Sequence, residues 1–139
     1  MIAIAWMLLI FAGSSDALSA EHTSRFLVPF LRWLDPTISA STIAAIHFTL
    51  RKLGHFTEYA LLAFLLWRAL RTSWIGKANG VIAATCFGLA ALFAASDEFH
   101  QSFVPTRTPS PRDVLIDCIG AAFAIAICWA ASRAAERRA

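Results

Sequence analysis

The sequence predicts an all-α protein: a small polytopic membrane bundle of four transmembrane helices, with an extracytoplasmic amphipathic helix between the first two. The first observation is composition, because 58% of the 139 residues are hydrophobic and 15% are charged, against about 45–50% and about 25% in soluble domains. The second is clustering, because the apolar residues form nearly uninterrupted runs at residues 2–12, 59–67, 81–95 and 114–131. Such runs are typical of membrane spans. We therefore expect one membrane domain over residues 1–139 and not a soluble enzyme.

The first run is the shortest of the four. Its roughly 12–16 residues reach only about 18–24 Å, whereas the hydrocarbon core of a bilayer is about 30 Å thick. The run lacks the basic segment that opens a signal peptide, so we expect a retained span and not a cleaved leader. Either the true start lies further upstream, or this span is thinned or capped by its neighbours.

The amphipathic helix is predicted at residues 21–34, where apolar side chains recur at helical spacing and Asp35 and Pro36 follow. Three further spans are expected at residues 53–70, 80–96 and 113–132, and residues 38–50 extend the first of these. Four spans place both termini on one side of the membrane. Basic residues divide evenly between the two sides, so the positive-inside rule does not choose between them. We expect cytoplasmic termini, because the acidic residues gather on the opposite side.

The start of the second span is unusually polar. On a helix, Arg51, His55 and Glu58 share one stripe, with Lys52 and Tyr59 beside it. An imidazole and a carboxylate three residues apart can pair directly. Ionisable groups at membrane depth are costly and mark functional sites. The alternative is an ion-pair network that anchors the helix end at the interface.

The third span ends in a second polar group. If its helix continues, Asp97, His100 and Gln101 lie on one face, and Glu98 points about 100° away from Asp97. Two acids, an imidazole and an amide are more than helix capping requires. A functional role is therefore predicted, beside the alternative of solvated charges at an interfacial helix end.

The fourth span has a clear start signal. Ser110, Pro111 and Asp113 match the N-cap, N1 and N3 positions of a capping box with a carboxylate at N3. Asp113 thus has a structural explanation as strong as a functional one. Further along, Gly120 and Ala124 form a small-residue face that allows close approach of another helix.

Asp117 lies one turn beyond the cap and needs a partner. Arg107 is the nearest by sequence, and Arg51 or Lys52 lies across the bundle. Three helix ends thus meet at one membrane face, which we expect to be the outer one. The residues expected to converge there are His55, Glu58, Asp97, Glu98, His100, Asp113 and Asp117, with Arg51, Lys52, Arg107 and Arg112.

Two long motifs resemble a known family. RKLGHFTEYALLAFLL, followed by SDEFHQSFVPTRTPSPRDVLIDCIG, is similar to the VanZ-like family, and FAGSSDALSA resembles that family's serine-containing segment after its first span. The resemblance covers nearly the whole chain and implies a bacterial membrane protein of the cell envelope. Its founding member is associated with low-level resistance to the glycopeptide teicoplanin. The family's recurrent polar positions map to Arg51, Lys52, His55, Glu58, Tyr59, Ser96, Asp97, Glu98, His100, Gln101, Arg107, Asp113, Asp117 and Gly120. The family has no settled reaction, so the question of enzyme activity stays open.

Two functions fit these residues. The first is an enzyme that acts on a lipid or lipid-linked envelope molecule, with Glu58 or Glu98 as general base and a histidine as proton shuttle. The second is a protein that binds such a molecule without turnover, with the amphipathic helix as a lid. Predicted catalytic residues are His55, Glu58, Asp97, Glu98, His100 and Asp117. Predicted binding residues are Arg51, Lys52, Tyr59, Gln101, Arg107 and Asp113.

Other classes of function are disfavoured. No basic stripe interleaved with polar residues suits nucleic acid, and no spacing matches a standard metal site, although a metal held by carboxylates and imidazoles remains a variant. Cofactors cannot be assigned. The three cysteines, Cys86, Cys118 and Cys128, fall in apolar runs and are expected to be small core residues. A transporter would need a dimer for alternating access, and we leave a homodimer open.

Overall fold

The computed structural model describes residues 2–15, 20–105, 107 and 109–138. Within these ranges the regular structure consists of α-helices and contains no strand, which confirms the predicted all-α class. The helices are α1 (Ile2–Ser14), α2 (Ala20–Leu34), α3 (Ala40–Ser73), α4 (Asn79–Gln101) and α5 (Pro111–Glu136).

Of the helices described, two are long and apolar enough to cross a membrane: α4 with 23 residues and α5 with 26. Helix α1 is apolar but has 13 residues. Helix α3 has 34 residues, about 51 Å of helix, but charged side chains interrupt its apolar residues. The prediction of four spans is therefore met in part. It took the apolar half of α3 as a span, although the helix also carries the charged stripe.

Helix α3 begins where the sequence predicts an extension of the second span. The Ser39 hydroxyl accepts a hydrogen bond from the Thr42 backbone N–H at 3.1 Å and caps the helix. The helix then runs unbroken to Ser73. Gly76, with a φ of 81°, makes the turn towards α4.

The bundle is built around the pair α3 and α5. A Cβ atom at Gly120 would overlap the Phe56 carbonyl oxygen and lie 3.1 Å from its carbonyl carbon, so glycine is what lets the two backbones meet. Small residues continue this contact, and Cys86 of α4 lies fully buried in the core. The buried residues of this core are Ala63, Trp67, Ile82, Ala83, Cys86, Ala90, Ala121, Ala124 and Ile125.

Helices α1 and α2 lie against the outside of this pair. Ile10 of α1 packs with Tyr59 and Leu62 of α3, and the Trp6 indole N–H donates to the Glu58 backbone carbonyl at 3.0 Å. Among the described helices, α2 contacts α3 alone. After α2, the Asp35 carboxylate accepts hydrogen bonds from the hydroxyl (2.7 Å) and the backbone N–H (2.9 Å) of Thr37, and these bonds hold the pKa of Asp35 below its usual value.

Candidate functional site

A network of ions joins α3 to the first turn of α5. The Asp113 carboxylate is fully buried and accepts from the Lys52 ammonium and from Arg51 Nη2 at 3.2 Å. His55 Nε2 lies 3.6 Å from the same carboxylate. A buried carboxylate is stable only when it is paired and hydrogen-bonded. These contacts therefore fix how the polar stripe of α3 faces α5.

The start of α5 keeps half of the predicted capping box. Ser110 is the N-cap, and its hydroxyl accepts from the Arg112 backbone N–H at 3.3 Å. Asp113 does not complete the box, because its carboxylate is directed at Lys52 and Arg51. Glu98 takes that place instead, since its Oε1 accepts the Ser110 backbone N–H. A side chain of α4 thus caps α5.

Asp117 has a different partner from those predicted. His55 Nδ1 lies 3.1 Å from Asp117 Oδ1, and both side chains are buried. Arg51 and Lys52, which were among the expected partners of Asp117, pair with Asp113. The spacing of His55 and Glu58 allows them to pair, but the His55 imidazole turns across the helix interface to the acids of α5.

A buried serine joins α1 to α4. Ser14 Oγ donates to Asp97 Oδ2 at 2.6 Å, and Gln101 Nε2 donates to Ser14 Oγ at 3.3 Å and to Asp97 Oδ2 at 3.1 Å. Ser96, which the family resemblance includes among its recurrent polar positions, donates its hydroxyl to the Phe93 carbonyl of its own helix. In the sequence, Ser14 belongs to FAGSSDALSA, the segment that resembles the family's serine-containing segment.

Arg107 holds the end of α1. Its Nε donates to the Ser15 carbonyl at 3.1 Å, and its Nη2 donates to the carbonyls of Gly13 and of Ser15, the latter at 2.8 Å. A cation is well placed at the C-terminal end of a helix, where carbonyl groups lack partners. Arg107 therefore links the loop before α5 to α1.

These contacts surround one end of a cavity of about 790 Å³. One wall is apolar and comes from α2 and the start of α3. The polar lining, which we call the polar end of the cavity, comes mostly from α1, α3, α4 and the loop before α5, with Thr23 from α2. The apolar lining residues are Phe26, Leu27, Phe30, Phe48 and Leu50. The polar lining residues are Ser14, Thr23, His47, Arg51, His55, Glu58, Gln101 and Arg107.

Five of the predicted site residues line this cavity: Arg51, His55, Glu58, Gln101 and Arg107. Five more lie behind it in the contacts described above: Lys52, Asp97, Glu98, Asp113 and Asp117.

Two predicted site residues stand apart from these contacts. Tyr59 is fully buried and stacks near Phe93, with ring centroids 6.1 Å apart. The His100 ring packs on the Phe11 ring, with ring centroids 4.1 Å apart. Within the described part of the chain, no group of three or more His, Cys, Asp or Glu side chains is arranged to hold a metal ion.

Comparison with known proteins gives one match. The family model described as VanZ/LLP1 matches residues 1–132. No curated protein matches the chain, and no solved structure matches it.

Proposed function

The chain belongs to the VanZ/LLP1 family, and we propose that it is a multi-pass membrane protein whose cavity binds the anionic headgroup of a lipid or lipid-linked envelope molecule. The observation that carries the proposal is the two-sided cavity. Its lining combines phenylalanine and leucine side chains with two guanidinium groups. This distribution suits an amphiphile whose tail and charged headgroup bind together.

The apolar wall supports the tail. Phe26 and Phe30 of α2 are largely exposed, and they face the cavity together with Phe48 of α3. Burying such surface against an acyl chain contributes about 25 cal/mol for each Å² removed from water. Helix α2 would thus cover the bound acyl chain, as expected for a lid with an amphipathic pattern.

The polar end supports the headgroup. Arg51 and Arg107 both line it, and a guanidinium binds phosphate or carboxylate through paired N–H donors. Each of these arginines is also held by protein contacts, Arg51 by Asp113 and Arg107 by the end of α1. Donors that are fixed before binding lose little entropy when the ligand arrives.

Titration of purified protein with phosphatidylglycerol tests this proposal. Arg51→Gln should weaken binding about tenfold, because it removes one charge-assisted contact. Lys52 continues to pair with Asp113 in that variant, so the fold should persist. Arg68→Gln is the matched control, because Arg68 packs over Phe64 and lies outside the lining. Equal binding by both variants, or no saturable binding by the wild type, would reject the proposal.

A second candidate is an enzyme that acts on the same molecule, and one observation favours it. Glu58 lines the cavity, and His55 beside it is oriented by Asp117. A general base needs access to the ligand and an oriented neighbour. Glu98 is the weaker base candidate, since it caps α5.

Headgroup-resolved lipid analysis separates the two candidates. An enzyme predicts a lipid species present in cells with the gene and absent from cells carrying Glu58→Gln at equal protein level. If the lipid composition is unchanged in every growth condition, the enzyme candidate is rejected and the binding function remains. A lipid-tailed glycopeptide such as teicoplanin is an amphiphile of the same class, so teicoplanin susceptibility of both strains belongs in the same experiment.

A further inference from the structure

The polar end of the cavity holds one acid among its cations. Glu58 lines the cavity and is half-buried, and no described side chain donates a hydrogen bond to its carboxylate. Its backbone carbonyl is occupied by Trp6, whereas the other acids of the site each accept at least one hydrogen bond from the protein. An ionised carboxylate at this depth requires a cationic or hydrogen-bonding partner.

A second acceptor lies in the same wall. Gln101 is 1% exposed and turns its amide nitrogen towards Asp97 and Ser14. A carboxylate only accepts hydrogen bonds, so this orientation of the amide is fixed. The Gln101 Oε1 is left without a donor among the described residues. A buried acceptor in this state calls for a donor from outside the protein.

The Glu58 carboxylate and the Arg51 guanidinium come from different turns of α3. Glu58 follows Arg51 by seven residues, which is about two helical turns or about 10 Å along α3. The Arg51 guanidinium is directed at Asp113, on the α5 side. Opposite charges that are held apart in this way fit a ligand that carries both charges at separate positions.

We propose that the headgroup joins a phosphate to a primary amine, so that the phosphate binds at Arg51 and Arg107 and the ammonium donates to Glu58 and to Gln101 Oε1. This assignment rests on the proposed binding function and narrows it to aminophospholipids. A primary ammonium has three N–H donors, like the lysine side chain, whereas a quaternary ammonium has none. The site therefore distinguishes phosphatidylethanolamine from phosphatidylcholine.

Native mass spectrometry of the purified full-length protein in detergent tests this assignment. The probes are dioleoyl phosphatidylethanolamine, its mono- and dimethyl derivatives, phosphatidylcholine and phosphatidylglycerol. Wild-type protein should bind phosphatidylethanolamine at least about tenfold more tightly than phosphatidylcholine, because hydrogen bonds to a charged group are lost. Binding should fall at each methylation step. This series needs no variant, so it stays decisive even where a substitution prevents folding.

Glu58→Gln should bring the ratio of the two affinities close to one, because the neutral amide cannot form the charge-assisted contact with the ammonium. Glu136→Gln is the matched control, because Glu136 pairs with Arg71 and Asn79 outside the cavity lining. Its affinity ratio should equal that of the wild type.

The outcomes separate this assignment from the function beneath it. Equal affinities for the ethanolamine and choline lipids in wild-type protein, or a ratio that survives Glu58→Gln, would overturn the aminophospholipid assignment alone. If phosphatidylglycerol and the other lipids all fail to bind saturably, the binding function falls with it.

Discussion

Asp113 and Asp117 are almost fully inaccessible to solvent, and α3 supplies a partner for each of them. Their carboxylates lie one turn apart on α5 and face Lys52, Arg51 and His55. Because an uncompensated charge is expensive in this environment, each pair orients the two helices as much as it stabilises them.

Asp117→Ala tests this at the single-residue scale. The substitution leaves the buried His55 imidazole without its 3.1 Å partner, so the free energy of unfolding should fall by about 1–3 kcal/mol. Reversible denaturation of the purified protein in detergent measures this change. Glu136→Ala removes a carboxylate that is more than half exposed and should leave stability nearly unchanged. Equal losses in the two variants would contradict the role given to the buried pair.

Ser14→Ala is the matching experiment on α1. The variant removes the 2.6 Å hydrogen bond to Asp97 and leaves that buried carboxylate with Gln101 alone. We expect a loss of about 1–3 kcal/mol. Ser96→Ala is the control, because the Ser96 hydroxyl is exposed and bonds within its own helix. A thermal shift assay that ranks the two alike would mean that Ser14 does not hold α1 in place.

The candidate site residues could be picked out from the sequence, but the partners that their side chains contact could not. The ionisable groups stand out in a mostly apolar sequence, and four of the predicted ones line one cavity. The spacing allowed His55 to pair with Glu58, but the imidazole bonds to Asp117 across the helix interface. A pattern along one helix cannot reveal which neighbouring helix faces it, and that depends on the contact that Gly120 makes with α3.

Helices α3 and α5 are in close backbone contact at Gly120. A Cβ atom at Gly120 would meet the Phe56 backbone, which has no flexible end that could move aside. Gly120→Ala should therefore separate the helices and cost about 1–3 kcal/mol of stability. Gly88→Ala in α4 places its Cβ in open space and should be neutral or slightly stabilising. Equal stability of both variants would show that the contact is not tight.

Where the helices begin was easier to predict than which of them span the membrane. Ser39, Ser110 and Pro111 mark helix starts by local chemistry, which a sequence displays directly. The second predicted span, in contrast, is the apolar half of one 34-residue helix. Its charged half lies beside the cavity, so length and hydropathy describe only part of what α3 does.

Polar side chains gather at both ends of the helix bundle, and one of these ends contains the cavity. The cavity end gathers the close of α4 and the start of α5. The opposite end ties α3 to α4 and α5 through Arg71, Asn79 and Glu136. Because helices α3, α4 and α5 alternate in direction, the C-terminus lies at the end away from the cavity.

This arrangement predicts the topology of the chain. If the cavity opens to the outer face, a green fluorescent protein fused to the C-terminus should fluoresce. Alkaline phosphatase fused there should be inactive, because it needs the exterior for activity. The reversed pattern would place the cavity at the cytoplasmic face, where it would bind lipids of the inner leaflet.

The proposed function claims that the cavity holds an amphiphile by its phosphate. Native mass spectrometry of protein extracted gently from its own membrane tests this most directly, because it weighs whatever remains bound. We predict one retained phospholipid per chain, with occupancy at least about tenfold lower in Arg51→Gln than in the wild type or in Arg68→Gln. An empty wild-type protein, or equal occupancy in all three, would contradict the claim.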